Sequence, residues 1–510
     1  MGRTARTLVD GVCAGVRSEA VIFWEIEWIT KRDHEIISSI ERGFAIDVHT
    51  RMIARRPVSQ FLFPGDELFE TTPAQPVQKP GRGIPRLRVP CRDQAEMSWE
   101  SLDERLDPDS QARVVWSLVA QLELDAWLRD IKAIEHHVGR NATDPRLLVA
   151  LWVFATLKGV GSARELERLC TDHLAYRWLC GGVSVNYHML ADFRSQGGDK
   201  WDELLTQIVA TLMSENLVTM QRVAQDGMKV RADAGKSSFR SGDRIKQFLE
   251  DARLQVETLK TLADSNPDEL TKQQRAARDR AARERQARIE EAAKQCETLR
   301  QEREKSAKQS GRKPTEARAS ITDPQARVMI FSDGGYRPGY NVQYATDTVS
   351  GIIVGVEVTN AGTDSEQMPP MLDQLETRYQ RLPQEILVDG GFASLDAIDA
   401  TENRNCVVYA PVQDLDKQKK AGKDPYARKT KDTDATAAWR RRMGEEASKV
   451  LYRLRSQTAE WVNALCRNRG FRHMPVRGRT RCKMVATLYA ITHNLIHQVN
   501  VRAAMAKVTG

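Results

Sequence analysis

Three widely spaced acids, Asp226, Asp389 and Glu460, are of a type that can share one piece of chemistry. Asp226 closes the short stretch Arg222-Val-Ala-Gln and precedes Gly227. Asp389 closes the apolar run Ile386-Leu387-Val388 and precedes Gly390-Gly391, and Glu460 lies within an arginine-rich helical pattern. A carboxylate at a strand's end, beside a glycine turn, sits at the edge of a sheet, where sites form. Hard divalent cations take oxygen ligands, so two such aspartates and a helical glutamate suit shared metal. With a net charge of +8 around them, the substrate this implies is a phosphodiester. Each Asp-Gly pair taken singly also reads as an ordinary turn. Asp333-Gly334-Gly335 is a third instance, and its flanks, Ser332 and Tyr336-Arg-Pro-Gly, read as loop.

Glu460 carries more information. Arg453, Glu460 and Arg467 are spaced by seven, about two helical turns and about 10 Å along one face. The stripe reads either as a solvated helix with ion pairs or as a metal-binding glutamate between phosphate-gripping arginines, whose planar forks pair two oxygens at once. Downstream, Arg467-Asn-Arg-Gly-Phe-Arg-His and Arg477-Gly-Arg-Thr-Arg481-Cys-Lys483 continue the basic character without compensating acids.

The surrounding pattern says which elements must hold these residues. Residues 98–216 read as all-helical, with Asp144-Pro145 as a cap and helix start and Ser162 with Glu165 as a capping box. Short helices joined by glycine turns read as a helix-turn-helix-like DNA-binding bundle or as a plain helical bundle. Residues 220–235 change to alternation and read as strand, turn, strand. Residues 243–305 read as a long helical hairpin. Its first seam is Ile245, Leu249, Ala252, Val256, Leu259 and Ala263; its second helix starts at Asn266-Pro267, with a seam of Ala282, Ile289, Ala292, Cys296 and Leu299. A strand pair flanks the turn Asp347–Gly351, followed by a helix over 364–381, a strand at Ile386–Val388, a helix at Ser394–Thr401 and a strand at Cys406–Val412. Residues 437–467 read as helix, and a last apolar helix carries Met484 to Ile496.

The 510 residues allow two to four domains. Eight scattered cysteines without a C-x-x-C pair argue against a zinc ribbon or disulfide scaffold and fit a reducing cytoplasm. No apolar run approaches the roughly 20 residues of a membrane span, and Ala20-Val-Ile-Phe-Trp24, followed by Glu25 and Glu27, is no signal peptide. Residues 35–46 read as a short helix and 73–90 as a Pro/Gly/Arg linker, with 1–70 a tail that an upstream start codon would also explain.

From about Arg82 onward the chain resembles DDE-type transposases of bacterial insertion sequences. Asp144-Pro-Arg-Leu-Leu-Val-Ala-Leu-Trp, Gly161-Ser-Ala-Arg-Glu-Leu-Glu and Asp192-Phe-Arg look like the family's helical N-terminal domain. Asp226-Gly-Met-Lys-Val-Arg-Ala-Asp-Ala looks like the first catalytic strand, Tyr340-Asn-Val-Gln-Tyr-Ala-Thr-Asp like the next, and Val388-Asp-Gly-Gly-Phe like the second catalytic aspartate. Tyr452-Arg-Leu-Arg-Ser-Gln-Thr-Ala-Glu460 with Arg467 looks like the tyrosine-arginine-glutamate-lysine signature, and His493-Asn-Leu like the C-terminal helix. Arg467 stands where the family usually has lysine, and no glycine-bearing turn follows Glu460.

The resemblance implies an α/β, ribonuclease H-like mixed sheet with flanking helices, interrupted by a helical hairpin and preceded by an all-helical domain. Its divisions are 1–90 (tail and linker), 91–216 (helical, DNA-binding) and 217–510 (catalytic, with an insertion at about 240–310). It further implies DNA cleavage and strand transfer, with Asp226, Asp389 and Glu460 holding two Mg²⁺ or Mn²⁺ ions. Lys229, Arg231, Tyr452, Arg453, Arg455 and Arg467 are the candidate DNA contacts, and 162–194 the reader of the element's terminal inverted repeats. The partners implied are those repeats and target DNA, bound by a homodimer because two ends must be joined, in the bacterial cytoplasm at the nucleoid. An inactive, transposase-derived DNA-binding protein is the alternative.

Overall fold

The computed structural model describes residues 99–133, 141–265 and 271–509. The readings made for 1–98 and the helix start at Asn266-Pro267 lie outside them.

The first half is helical, and the caps explain where its helices begin. Ser110 caps α1 (Gln111–Ala120), and Asp144 caps α2 (Pro145–Leu157), whose first residue is the expected proline. Almost every residue of α2 is buried, as an all-round apolar helix must be when others surround it. Ser162 caps α3 (Ala163–Asp172), which is followed by α4 (Leu174–Cys180), α5 (Tyr187–Gln196) and α6 (Gly198–Ser214).

The sheet follows. Its strands are β1 (Arg222–Arg231), β4 (Arg327–Ile330), β5 (Tyr336–Asp347), β6 (Ile353–Thr359), β7 (Glu385–Leu387) and β8 (Val407–Tyr409). Their order is β4-β5-β1-β7-β8, with β6 also paired to β5. The β1–β5 and β5–β6 pairs are antiparallel, whereas β1–β7 and β7–β8 are parallel. This is the mixed α/β sheet expected of a ribonuclease H-like transposase. Between β1 and β4 the chain makes β2 (Phe239–Ser241), the helices α7 (Gly242–Ser265) and α8 (Lys272–Ser310), and β3 (Arg318–Ser320), which pairs with β2. Part of the expected seam forms: Ile245, Ala252, Ile289, Ala292 and Cys296 are buried together, with Leu249 and Leu299 packed against them, whereas Val256, Leu259 and Ala282 lie outside this cluster. Thr271 caps α8.

The sheet continues through α9 (Met368–Tyr379) to β7, then α10 (Leu395–Glu402) to β8. Two expectations are corrected. Residues 222–231 form one continuous strand rather than strand, turn, strand, because β5 pairs with every residue from Val223 to Arg231. The span 437–467 is not one helix. It divides into α11 (Asp434–Gly444), α12 (Glu446–Tyr452), a π-helical turn (Ser456–Glu460) and α13 (Trp461–Asn468), with Glu445 in extended backbone at the first break. The last helix, α14 (Arg479–Thr509), is longer than expected and packs on both α6 and β6.

Through α14, one continuous core joins Leu151, Trp152 and Trp201 of the helical half to Val342, Tyr344 and Val356 of the sheet. A second cluster, with Ala224, Leu387, Val388, Phe392 and Ala459, lies beneath Asp389. Among the described residues no helix is long and apolar enough to cross a membrane.

Candidate active site

Register brings the two aspartates together. Ala224 lies opposite Leu387 in the parallel β1–β7 pair. Asp226 and Asp389 each follow two residues later, so by the two-residue period of strands both point from the same face. The short strand β7 ends at Leu387 while β1 runs on, which leaves Asp226 at mid-strand beside the place where its neighbour stops. Asp389 does stand at a strand's end beside a glycine turn, as expected, and its Oδ1 accepts the Gly391 N–H at 2.7 Å.

Gly227 is therefore not a turn glycine. It lies flat in β1, opposite Gln343. A Cβ there would stand 2.1 Å from Asp364 Oδ1 and 2.6 Å from Gln343 Nε2. Asp364 Oδ1 lies over the strand, accepting from Asn341 Nδ2 at 2.7 Å and Gln343 Nε2 at 2.6 Å. The glycine marks close approach of side chains to the backbone.

The third acid arrives on the π turn. In an α-helix, residues three and four apart share a face. The extra residue in a π turn brings i and i+5 together, and here Arg455 Nη2 pairs with Glu460 across it. The Arg455 Nη1 lies 3.5 Å from Asp226 Oδ1. One guanidinium thus bridges the strand acid and the helix acid, and the ring of Tyr452 lies 5.8 Å from it. Asn463, three residues beyond Glu460 on α13, donates to Asp226 Oδ2 at 2.9 Å.

The electrostatics follow from burial. Desolvation raises the Asp226 carboxyl to about 6; Arg455 pulls it back down, and the nearby Asp389 charge pushes it up. Burial draws Arg455 down, but Tyr452, Asp226, Glu460 and Asp389 together outweigh it and hold the guanidinium above its ordinary value. Glu460 keeps 47% of its side chain exposed, against 16% for Asp226.

The six expected DNA contacts separate into groups. Arg455, with Tyr452 beside it, is committed to the acids. Arg453 and Arg467 are exposed on the same stretch, but the π turn breaks the seven-residue stripe, and Arg455 rather than Arg453 is the partner of Glu460. Lys229 and Arg231 alternate with Asp226 along β1 and point from the opposite face. Sequence reasoning missed Asn463, which its spacing from Glu460 could have flagged.

Two family models match stretches of the chain. Residues 321–495 match a Transposase DDE domain, and residues 100–196 match a Transposase domain (DUF772). The chain belongs to the insertion-sequence DDE transposases. The catalytic-domain match includes Asp389 and Glu460 but begins beyond Asp226, which the long hairpin separates from it in sequence and the β1–β7 pairing returns to it in space. No curated protein and no solved structure matches the chain.

The donor set fits a hard divalent cation, since carboxylate oxygens are gathered around a single positive charge, the Arg455 guanidinium. Among the described residues no three metal-ligating side chains are grouped closely enough to hold an ion as they stand.

Proposed function

We propose that this transposase binds the ends of its element and cuts and rejoins DNA strands at Asp226, Asp389 and Glu460. The observation that supports the reading is that Arg455 pairs with both Asp226 and Glu460, while Asp389, at the end of β7, lies near enough for its charge to act on Asp226 and Arg455. Asp226, Asp389 and Glu460 would hold two Mg²⁺ or Mn²⁺ ions. Bound there, such ions activate an attacking hydroxyl and stabilise the leaving oxygen of a phosphodiester.

The chain's own residues do the rest. Asn463 and the Gly227 N–H orient Asp226, and the Gly391 N–H orients Asp389. Arg455 balances the acids' charge in the resting protein and is placed to meet the phosphate once they are occupied. Arg453, Arg467, Lys229 and Arg231 contact DNA phosphates, and the helical portion, centred on 162–194, reads the terminal inverted repeats. Residues 91–216 and 217–510 act as the end-binding and catalytic parts, on a homodimer that holds two ends.

The test is cleavage of a DNA carrying the element's end with Mg²⁺ by Asp389→Asn and Glu460→Gln. Both should lose activity by several orders of magnitude while retaining end binding. Cleavage that survives either change sinks the assignment.

A further inference from the structure

The site described above accounts for the even-numbered face of β1 and leaves the odd-numbered face unexplained. That face carries Lys229 and Arg231, about 6.6 Å apart along the strand, a step comparable with that between successive phosphates of an extended strand. Each opens into a cavity. Lys229 lines one of about 740 Å³, shared with Gly391, just past Asp389, and with Gln418 and Lys429; Asp364 and Asp414 are the carboxylates in its wall. Arg231 lines a second, of about 400 Å³, with Lys236, Tyr336, Arg337 and His473.

The second cavity is unusual in its charge. No carboxylate lines it. Arg337 is neutralised, since both its terminal nitrogens meet Asp333, at 2.8 and 2.6 Å, and this pairing holds the Asp333 carboxyl down at about 2. Arg231 and Lys236 have no such partner among the described residues, and both are exposed. Tyr336 is 59% exposed beside them. The frame is rigid: Arg231 donates its N–H to Arg472 O at 3.1 Å and accepts from Met474 N at 2.7 Å, which fixes His473 against it. Free cations beside an exposed aromatic ring are the equipment of single-strand binding, where phosphates meet charge and bases stack on the ring. A duplex, with its bases paired and stacked inside, offers the ring nothing.

We propose that the Lys229–Arg231–Lys236 groove, with Tyr336 as a stacking platform, binds a single strand of DNA next to the scissile position. The strand passes from the acids around the Gly390-Gly391 turn and along the odd face of β1. The role rests on the transposase reading, but the groove can be tested without catalysis.

The probe is a labelled oligothymidine, with a duplex of equal length as control, and binding is followed by fluorescence anisotropy over a range of NaCl concentrations. All proteins carry Asp389→Asn and are kept free of divalent ions, so the outcome does not depend on whether the acids cut DNA. Combining Arg231→Ala with Lys236→Ala should reduce the slope of log Kd against log salt by about 1.4, from two single-strand phosphate contacts at about 0.7 each. Tyr336→Ala should weaken oligothymidine binding about tenfold and leave duplex binding unchanged. Lys236→Arg should preserve the slope. Lys236→Ala and Tyr336→Ala alter exposed side chains, so they report even if the double variant does not fold. Unchanged oligothymidine affinity and slope would overturn the proposal, as would equal losses on single strand and duplex.

Discussion

At the residue scale, Asp226 sets the pH response. Its folded value is raised to about 6, so its contribution to stability is fully present below the ordinary carboxylate value and is lost as pH rises through 6. The ionised form that a cation needs is therefore the one the fold tolerates least. Two outcomes follow. Cleavage at subsaturating Mg²⁺ should fall as pH drops below about 6, where protons compete with the cation, as seen in initial rates at saturating DNA. Asp226→Asn should abolish cleavage and yet keep or raise the thermal midpoint, because it removes a buried charge whose shift corresponds to at most about 3 kcal/mol. A clear drop in the midpoint would contradict that account. Arg455 opposes the rise, so Arg455→Gln should move the acid limb of the rate profile to higher pH, and Arg455→Lys should recover part of the difference. If both variants give the same limb as the parent, Arg455 does not act on Asp226.

At the scale of elements, α14 is keyed to the β5–β6 turn by contacts that do no chemistry, and the segment after Glu460 packs on it. Asn494 on α14 accepts from Ile353 N at 2.9 Å and donates to Ile353 O at 2.8 Å. His493 and His497 bond to Gly351 O and Ser350 O, and Trp461, the residue after Glu460, packs edge-on against both rings. Asn494→Ala leaves two buried backbone groups unpaired and should cost about 2–4 kcal/mol in denaturant melts. His493 is fully buried, and desolvation holds it well below its ordinary value, so the folded protein stays unprotonated where the unfolded chain takes up a proton. Stability should accordingly decline as pH falls below about 6.5, and less steeply in His493→Gln. The helices, the strand pair and the hairpin seam were legible in the sequence because each follows a local period or cap. The π turn was not, since its extra residue leaves the apolar pattern almost intact and changes only which arginine meets Glu460. Nor was Gly227 legible: a glycine imposed by Asp364, more than a hundred residues away, looks the same as a glycine that makes a turn.

At the scale of the whole molecule, the helical half and the sheet share a core, so they should fold and melt together. Asp202 on α6 concentrates that coupling. Its carboxylate meets Arg378 of α9 at 3.0 Å and Lys483 of α14 at 3.3 Å, and it accepts from Thr487 at 3.2 Å. Lys483 also reaches Glu357 on β6 at 3.0 Å, which ties helical half, sheet and last helix into one network. Arg378 is only 8% exposed, so removing its carboxylate strands a buried cation. Breaking a buried pair by deleting one partner costs about 3–5 kcal/mol. Asp202 is 31% exposed and solvent screens part of that, so Asp202→Ala should cost nearer 2 kcal/mol. The location of the loss matters more than its size. If the helical half were an independent unit, Asp202→Ala would lower the melting of that half alone. The core that joins Trp152 and Trp201 to Tyr344 and Val356 requires one transition instead. Tryptophan fluorescence, weighted towards the helical half, and far-UV circular dichroism should therefore report coincident midpoints in parent and variant alike, displaced together. Two separated transitions in either protein would show that the helical half and the sheet are separately folding units.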